Sequence, residues 1–175
     1  MNKAFTLMES IIVIAIIVIL ALIIFPNYYS TKQQLALQRS ASKLAQDIRK
    51  VQEMAMSAQE FEGEISLGGY GIYLRRVPSP QISYILYVDK NNNQKYDSGE
   101  ETIEEINFES GIRILSLSGN HTSIIFTPPD PTVLFTDADG IDLGLGQISI
   151  VISLISDETK TKTISINKAG LINID

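Results

Sequence analysis

Residues 11–25 read IIVIAIIVILALIIF, fifteen residues without a charge. Extended back to Phe5, the stretch has 21 residues, interrupted by Thr6, Glu9 and Ser10. About 20 apolar residues in a helix span the hydrocarbon of a bilayer. The segment Phe5–Phe25 therefore has the length to cross a membrane. An ordinary secretory signal would carry a small-residue cleavage pattern after its apolar core. Here the core runs into FPNYYSTKQQ, which offers none, so the run is expected to stay in the mature chain. Lys3 and the initiator amine precede it and favour a cytoplasmic N-terminus, with the remainder outside. Tyr28 and Tyr29 follow Pro26, where they fit either as aromatic interface anchors or as simple packing residues.

Glu9 stands out in this setting. A carboxylate costs roughly 2.5–3.5 kcal/mol at the bilayer centre, and less near a helix end. It either snorkels to the headgroups or waits for a positive partner at membrane depth.

The N-terminal sequence MNKAFTLMES combines a short basic leader, a small residue, Phe-Thr-Leu-x-Glu and then the long apolar run. That combination resembles the type IV prepilin signal shared by pilins and pseudopilins. The resemblance implies cleavage by a prepilin peptidase between Ala4 and Phe5, and N-methylation of Phe5. It also implies that Glu9 neutralises the N-terminal amine of a neighbouring subunit, which is the buried positive partner its position calls for. Alanine stands at position 4 where the family usually has glycine. Pro26 matches the family's proline in this helix, and a proline frees a carbonyl and bends the helix axis. By the same resemblance the chain sits in the bacterial inner membrane. Its implied partners are other pilin or pseudopilin subunits, the prepilin peptidase, the inner-membrane assembly platform and membrane lipid.

Beyond the apolar run, Leu37, Ala41, Leu44, Ala45, Ile48, Val51, Ala55 and Ala58 fall at steps of three or four and form one apolar stripe. Arg49 and Glu53, and likewise Lys43 and Asp47, sit four apart on what reads as the polar side. The spacing predicts a helix from about Phe5 to Ala58, close to 80 Å long at 1.5 Å per residue, with Gly63 as its stop. The stripe is rich in alanine, which allows close approach to a sheet and disfavours a coiled coil.

After Gly63 the pattern changes to period two. The expected strands are Tyr70–Arg76, Ile82–Val88, Glu101–Phe108, Ile112–Ser116, Ser123–Thr127, Val133–Thr136, Gln147–Ile155, Thr161–Asn167 and Leu171–Ile174, with turn residues between them. Gln147–Asn167 reads as a hairpin with Asp157-Glu158 in its turn. The fold class that follows is α+β, pilin-like: one long N-terminal helix packed on an antiparallel β-rich sandwich. The expected divisions are a leader over 1–4, a transmembrane or filament-core helix over 5–26, an amphipathic continuation over 27–62 and an extracytoplasmic β domain over 63–175. The strand YILYVD with its acidic loop, the segment FTPP and the ending TISINKAGLINI also resemble the GspH/FimT group of minor pseudopilins and minor pilins.

The acidic loop 89–100 reads DKNNNQKYDSGE. Numbered as a twelve-residue calcium loop, it places Asp89, Asn91, Asn93, Asp97 and Glu100 at positions 1, 3, 5, 9 and 12. Lys95 would contribute its carbonyl from position 7. Calcium takes six to eight oxygens, and this spacing wraps oxygens around one point. Against it, Gln94 occupies the position where a glycine normally permits the sharp turn, the flanks are strands, and Asn and Asp suit plain turns. Any such calcium would be structural. A second acidic run, Asp137, Asp139 and Asp142, reads as an Asp-Gly turn more than as a metal site.

The chain has no cysteine and one histidine, His121, which excludes thiol chemistry and zinc-thiolate sites. His121 is expected in a turn. Glu104 and Glu105 alternate faces of a strand and do not converge. Gly68-Gly69-Tyr70-Gly71 precedes a strand, not a helix, and so cannot cradle phosphate. The residues point to a structural subunit, not an enzyme. From Glu60 onward 8 Lys+Arg face 17 Asp+Glu, a net −9, which opposes general nucleic-acid binding. Arg75-Arg76 and Lys160 with Lys162 are the only candidates for a DNA-binding patch of the kind that a FimT-like uptake pilin would use. A single-span membrane protein with an exported β domain that never assembles is the other alternative.

Overall fold

The computed structural model describes residues 6–76, 82–98, 102–119, 121–128 and 132–175, without the side chains of 24–27. Ala4, Phe5 and Glu100 lie outside the described residues. The chain divides into two compact units, 1–35 and 36–175, each taken by itself below. One α-helix, α1, is assigned over Leu7–Met56.

In the first unit the helix is apolar on every side from Ile11 to Ile23. Its most apolar 18-residue window has a mean hydropathy of 3.2 and none of it is buried. Every large apolar side chain from Leu7 to Ile23 is 47% exposed or more. A helix apolar all round is at home only where its surroundings are apolar too.

In the second unit the stripe does what its spacing predicts. Leu37, Ala41, Leu44, Ala45, Ile48, Val51 and Ala55 are all buried. Each of the Leu, Ile and Val side chains among them contributes about 1.5–3 kcal/mol by leaving water. They form one core with two antiparallel sheets. The chain adds β1 (Glu60–Phe61), β2 (Glu64–Ile65), β3 (Tyr70–Arg75), β4 (Ser83–Val88), β5 (Thr102–Asn107) and β6 (Ile112–Leu117). It continues through β7 (His121–Phe126), β8 (Val133–Thr136), β9 (Gln147–Leu154), β10 (Thr161–Asn167) and β11 (Ile172–Ile174). The five-stranded sheet has the order β5-β4-β3-β7-β8 and the four-stranded sheet β11-β10-β9-β6. Tyr70, Ile72 and Leu74 of β3 align with Leu86 and Val88 of β4 and with Ile124 and Phe126 of β7 on the core face. Ile148, Ile150 and Ile152 of β9 and Ile164 and Ile166 of β10 supply the facing layer. The expected α+β pilin-like fold is the fold observed.

Edge strands β5 and β6 each carry a register shift in their pairing, and β5 also exposes Glu104 and Glu105. Bulges and charges of this kind keep an edge from pairing with another chain.

Three expectations are corrected. Asp47 is not on the polar side: it is buried at 3% exposure, where its carboxylate accepts from Lys43 Nζ at 2.6 Å and Tyr84 Oη at 2.5 Å. Burial, and then the Asp47 carboxylate, push the Tyr84 phenol far above its ordinary range. Two partners are what make a buried carboxylate tolerable; Lys43 is visible in the four-residue spacing, whereas Tyr84, 37 residues on, is not. His121 lies in β7 and not in a turn, paired in register with Arg75. Gly63 does not stop the helix. Ala58 does, at φ 45°, with Ala58 N–H bonded to Ala55 O and Gln59 N–H to Met54 O. Those two bonds make a Schellman cap with alanine where glycine is usual. Gly63 instead joins Glu62 in a two-residue turn, both at positive φ, between β1 and β2.

Because an L side chain in the left-handed region costs roughly 1–2 kcal/mol, Ala58→Gly should stabilise the domain by about 1 kcal/mol. Thermal unfolding of the two proteins checks this by a higher melting temperature for the variant.

Candidate functional site

The helix opens at a reciprocal cap. Thr6 N–H and Thr6 Oγ1 both donate to Glu9 Oε2, at 3.2 and 3.0 Å, and Glu9 N–H donates to Thr6 Oγ1 at 3.2 Å. This is the capping box that Thr-x-x-Glu encodes. It was legible in Thr6-Leu7-Met8-Glu9, and the sequence reading missed it by treating Glu9 only as a charge. The box satisfies N–H groups that have no partner within the helix, and it places a carboxylate at the positive end of the helix dipole. Glu9 Oε1 makes no hydrogen bond among the described residues.

The acidic loop is held from both ends. Asp89 is fully buried, and burial pushes its carboxyl up from the ordinary value against the opposing pull of loop N–H groups. Its Oδ1 accepts Asn93 N–H at 3.2 Å and its Oδ2 accepts Gln94 N–H at 2.8 Å. Asn91 Oδ1 accepts Asn93 N–H, and Asn93 Oδ1 accepts Lys95 N–H. Asp97 Oδ2 gathers the side-chain amides of Asn91 and Asn93 at 3.1 and 2.6 Å, and these two bonds hold its carboxyl below the usual range. Gln94 sits at φ 61°, so the sharp turn forms without glycine. Asp89, Asn91, Asn93, Lys95 and Asp97 are thus wound into one turn. Among the described residues no three His, Asp or Glu side chains converge as a metal group.

What fixes this loop is a residue that the metal numbering skipped. Tyr96 stacks on Tyr73 at 4.9 Å and meets Tyr87 edge-on at 5.5 Å, while its hydroxyl lies 2.7 Å from Thr102 Oγ1. Tyr73 continues the stack to His121 at 6.1 Å, with its hydroxyl 2.7 Å from His121 Nδ1. The loop therefore folds back over the outer face of the five-stranded sheet. Thr136 Oγ1 donates to Gln94 O at 2.5 Å, and Gly140 packs so close that a Cβ there would lie 2.5 Å from Asn93 O. Gly71 is glycine because the Tyr87 ring occupies the place of its side chain. Tyr96, the one aromatic in the loop, was the available signal.

The remaining candidates separate. Asp137 caps its own turn through Asp139 and Ile141 N–H, and Asp142 pairs with Lys168 at 3.4 Å. Glu104 reaches Lys50 of α1 at 3.6 Å, whereas Glu105 accepts from Ser83 Oγ at 2.8 Å. Arg75 ends β3 of one sheet, and Lys160 and Lys162 lie at the start of β10 in the other.

No protein-family model matches the chain, and no curated protein does. Among solved structures the chain is similar to the Pseudomonas aeruginosa type IV minor pilin FimU. One crystal form is 12% identical over 79% of this chain and 87% of that one, with a TM-score of 0.51. A second is 13% identical over 79% and 92%, with a TM-score of 0.49. At that identity the likeness of the first form establishes a shared type IV pilin-like fold.

Removing the ring that pins the loop, Tyr96→Ala, should destabilise the domain by roughly 1–2 kcal/mol and open segment 89–98 to limited proteolysis. Denaturant unfolding and cleavage mapping check this.

Proposed function

We propose that the chain is a minor pilin-like subunit, cut between Ala4 and Phe5 and assembled through its N-terminal helix. The observation that carries the reading is the Thr6–Glu9 capping box at the head of an apolar helix that nothing in its own unit covers. The type IV pilin-like fold of the β domain supports it. Cleavage before Phe5 would leave a new amine one residue from the N-cap. Glu9 Oε2 is engaged by Thr6, and Oε1 is left for the amine of a neighbouring subunit. That bond would neutralise two charges that are each costly in an apolar filament core. On this reading the prepilin peptidase, the assembly platform of the inner membrane, lipid and sibling pilins are the partners. The GspH/FimT-like segments favour a minor position in a type II secretion pseudopilus or a type IV pilus.

The loop 89–100 is proposed as a structural calcium turn of that subunit. Supporting it are the left-handed Gln94 at the position where such loops need their sharp turn and the hydrogen bonds that gather Asp89, Asn91, Asn93 and Asp97 into one turn. Lys95 O and Glu100 would complete the oxygen set. Calcium should then raise the melting temperature of a fragment starting at Lys32, and Asp89→Ala should abolish the gain. An unmodified fragment indifferent to calcium returns the loop to a plain Asx-rich turn.

Intact mass of the chain from membranes that contain a prepilin peptidase tests processing. Loss of Met1–Ala4, with one methyl added on Phe5, is expected, and a full-length mass is the contrary result. The same membranes test the charge against the cap. Glu9→Gln keeps an acceptor for Thr6, whereas Glu9→Ala removes it. Both variants should be cleaved, and both should lose filament incorporation about tenfold or more, as expected when a buried charge is left without its partner. Normal incorporation of Glu9→Gln would reduce Glu9 to a helix cap.

A further inference from the structure

Three phenols and an imidazole meet on the outer face of the five-stranded sheet. Tyr73 of β3 pairs in register with Ser123 of β7, so His121, two residues back along β7, is its diagonal neighbour on the same face. Tyr87 of β4 lies over Gly71, where no side chain competes for the space. Tyr96 of the acidic loop closes on both. It stacks on Tyr73 at 4.9 Å, with 30° between the ring planes, and meets Tyr87 edge-on at 5.5 Å. Tyr73, Tyr96 and His121 are each half-buried, so part of each ring still meets solvent.

A phenol loses an electron far more readily when a base takes its proton in the same step. Tyr73 has such a base, since its Oη lies 2.7 Å from His121 Nδ1. A neutral imidazole with its proton on Nε2 presents Nδ1 as an acceptor, and histidine exchanges protons near neutral pH. Burial pushes the Tyr73 phenol above its ordinary value, against the pull of Arg75, so the phenolate does not form beforehand. The other phenols are placed differently. Tyr84 has the Asp47 carboxylate as acceptor, but its ring meets Phe108, which has no hydroxyl to oxidise. Tyr70 donates to the carbonyl of Gln59, which takes up no proton. Tyr73 has both a base and a second phenol stacked on its ring.

We propose that Tyr73 and Tyr96 form an oxidative cross-linking site, with His121 as its base, at which a peroxide-driven one-electron oxidant joins the two rings. Each phenol gives up one electron and its hydroxyl proton. The Tyr73 proton passes to His121 Nδ1 and on to solvent, and the Tyr96 proton leaves to solvent. The two phenoxyl radicals couple through ring carbons ortho to oxygen. The hydrogens on those carbons then move to the oxygens and restore both phenols. The two electrons and two protons reduce the peroxide O–O bond, so the chain loses two hydrogens and gains one carbon–carbon bond. That bond ties the acidic loop to β3 in a chain that has no cysteine and hence no disulfide. A covalent tie of this kind restricts the unfolded chain as a disulfide does. The site is independent of the filament reading and of calcium.

The test treats the full-length chain in detergent with photo-activated ruthenium tris-bipyridine and persulfate, itself a peroxide. Monomer should gain dityrosine fluorescence and lose the mass of two hydrogens, and its digest should contain a linked peptide pair carrying Tyr73 and Tyr96. The linked chain should also melt at a higher temperature. Tyr73→Phe and Tyr96→Phe each keep a ring in the stack and should each abolish the link. His121→Gln keeps a hydrogen bond to Tyr73 but cannot take its proton, so it should slow linking about tenfold or more. His121→Ala should be slowed likewise and restored by free imidazole, which a merely structural role for the ring does not allow. Monomer without dityrosine overturns the proposal, and so does linkage through Tyr87, or through the exposed Tyr28 and Tyr29, in place of Tyr73 with Tyr96. An equal yield of the pair from chain unfolded in urea overturns its dependence on the fold. A rate indifferent to His121→Gln overturns the role of the base.

Discussion

The structure depends on how one helix sequence meets its surroundings. Over Leu7–Ile23 every large apolar side chain faces outward. Over 36–55 only a stripe is apolar, and that stripe is buried to the last residue. The first half is uniform, and a helix apolar on every side suits surroundings that are apolar on every side, because its backbone groups are already satisfied within the helix itself. The second half is amphipathic because a sheet covers only one side. Alanines at 41, 45 and 55 keep the helix close, and larger side chains at 37, 44, 48 and 51 join the core that residues of both sheets line.

Two carboxylates show how the helix handles charge. Glu9 sits in the first turn, where a capping box gives it donors and the dipole favours it. Asp47 sits in the stripe itself, where Lys43 and Tyr84 hold it. Leaving either group bare would cost more than its pairing contributes. The Tyr84 ring that Asp47 holds also packs against Phe108, with centroids 5.2 Å apart.

The outer face of the five-stranded sheet is closed by the chain itself. Tyr73, Tyr87 and His121 would present an aromatic row to solvent if Tyr96 did not bring the acidic loop down on it. Tyr96 then packs on the sheet while Asp97 stays partly exposed. This arrangement accounts for a loop of such polarity that nevertheless keeps a buried Asp89.

The sequence by itself determined the apolar helix, its continuation as an alanine-rich stripe, and nine strands to within a residue or two of their observed bounds. These are periodic signals, and a period is local information. It also held the capping box and the Tyr96 anchor, in a spacing and a lone aromatic that were passed over. Tertiary structure alone decided that Asp47 faces Tyr84, that His121 belongs to a strand, that Ala58 and not Gly63 caps the helix, and that two acidic turns pack against each other. Each of these turns on a partner far along the chain, or on a backbone angle that tertiary packing imposes. No window of neighbouring residues contains either.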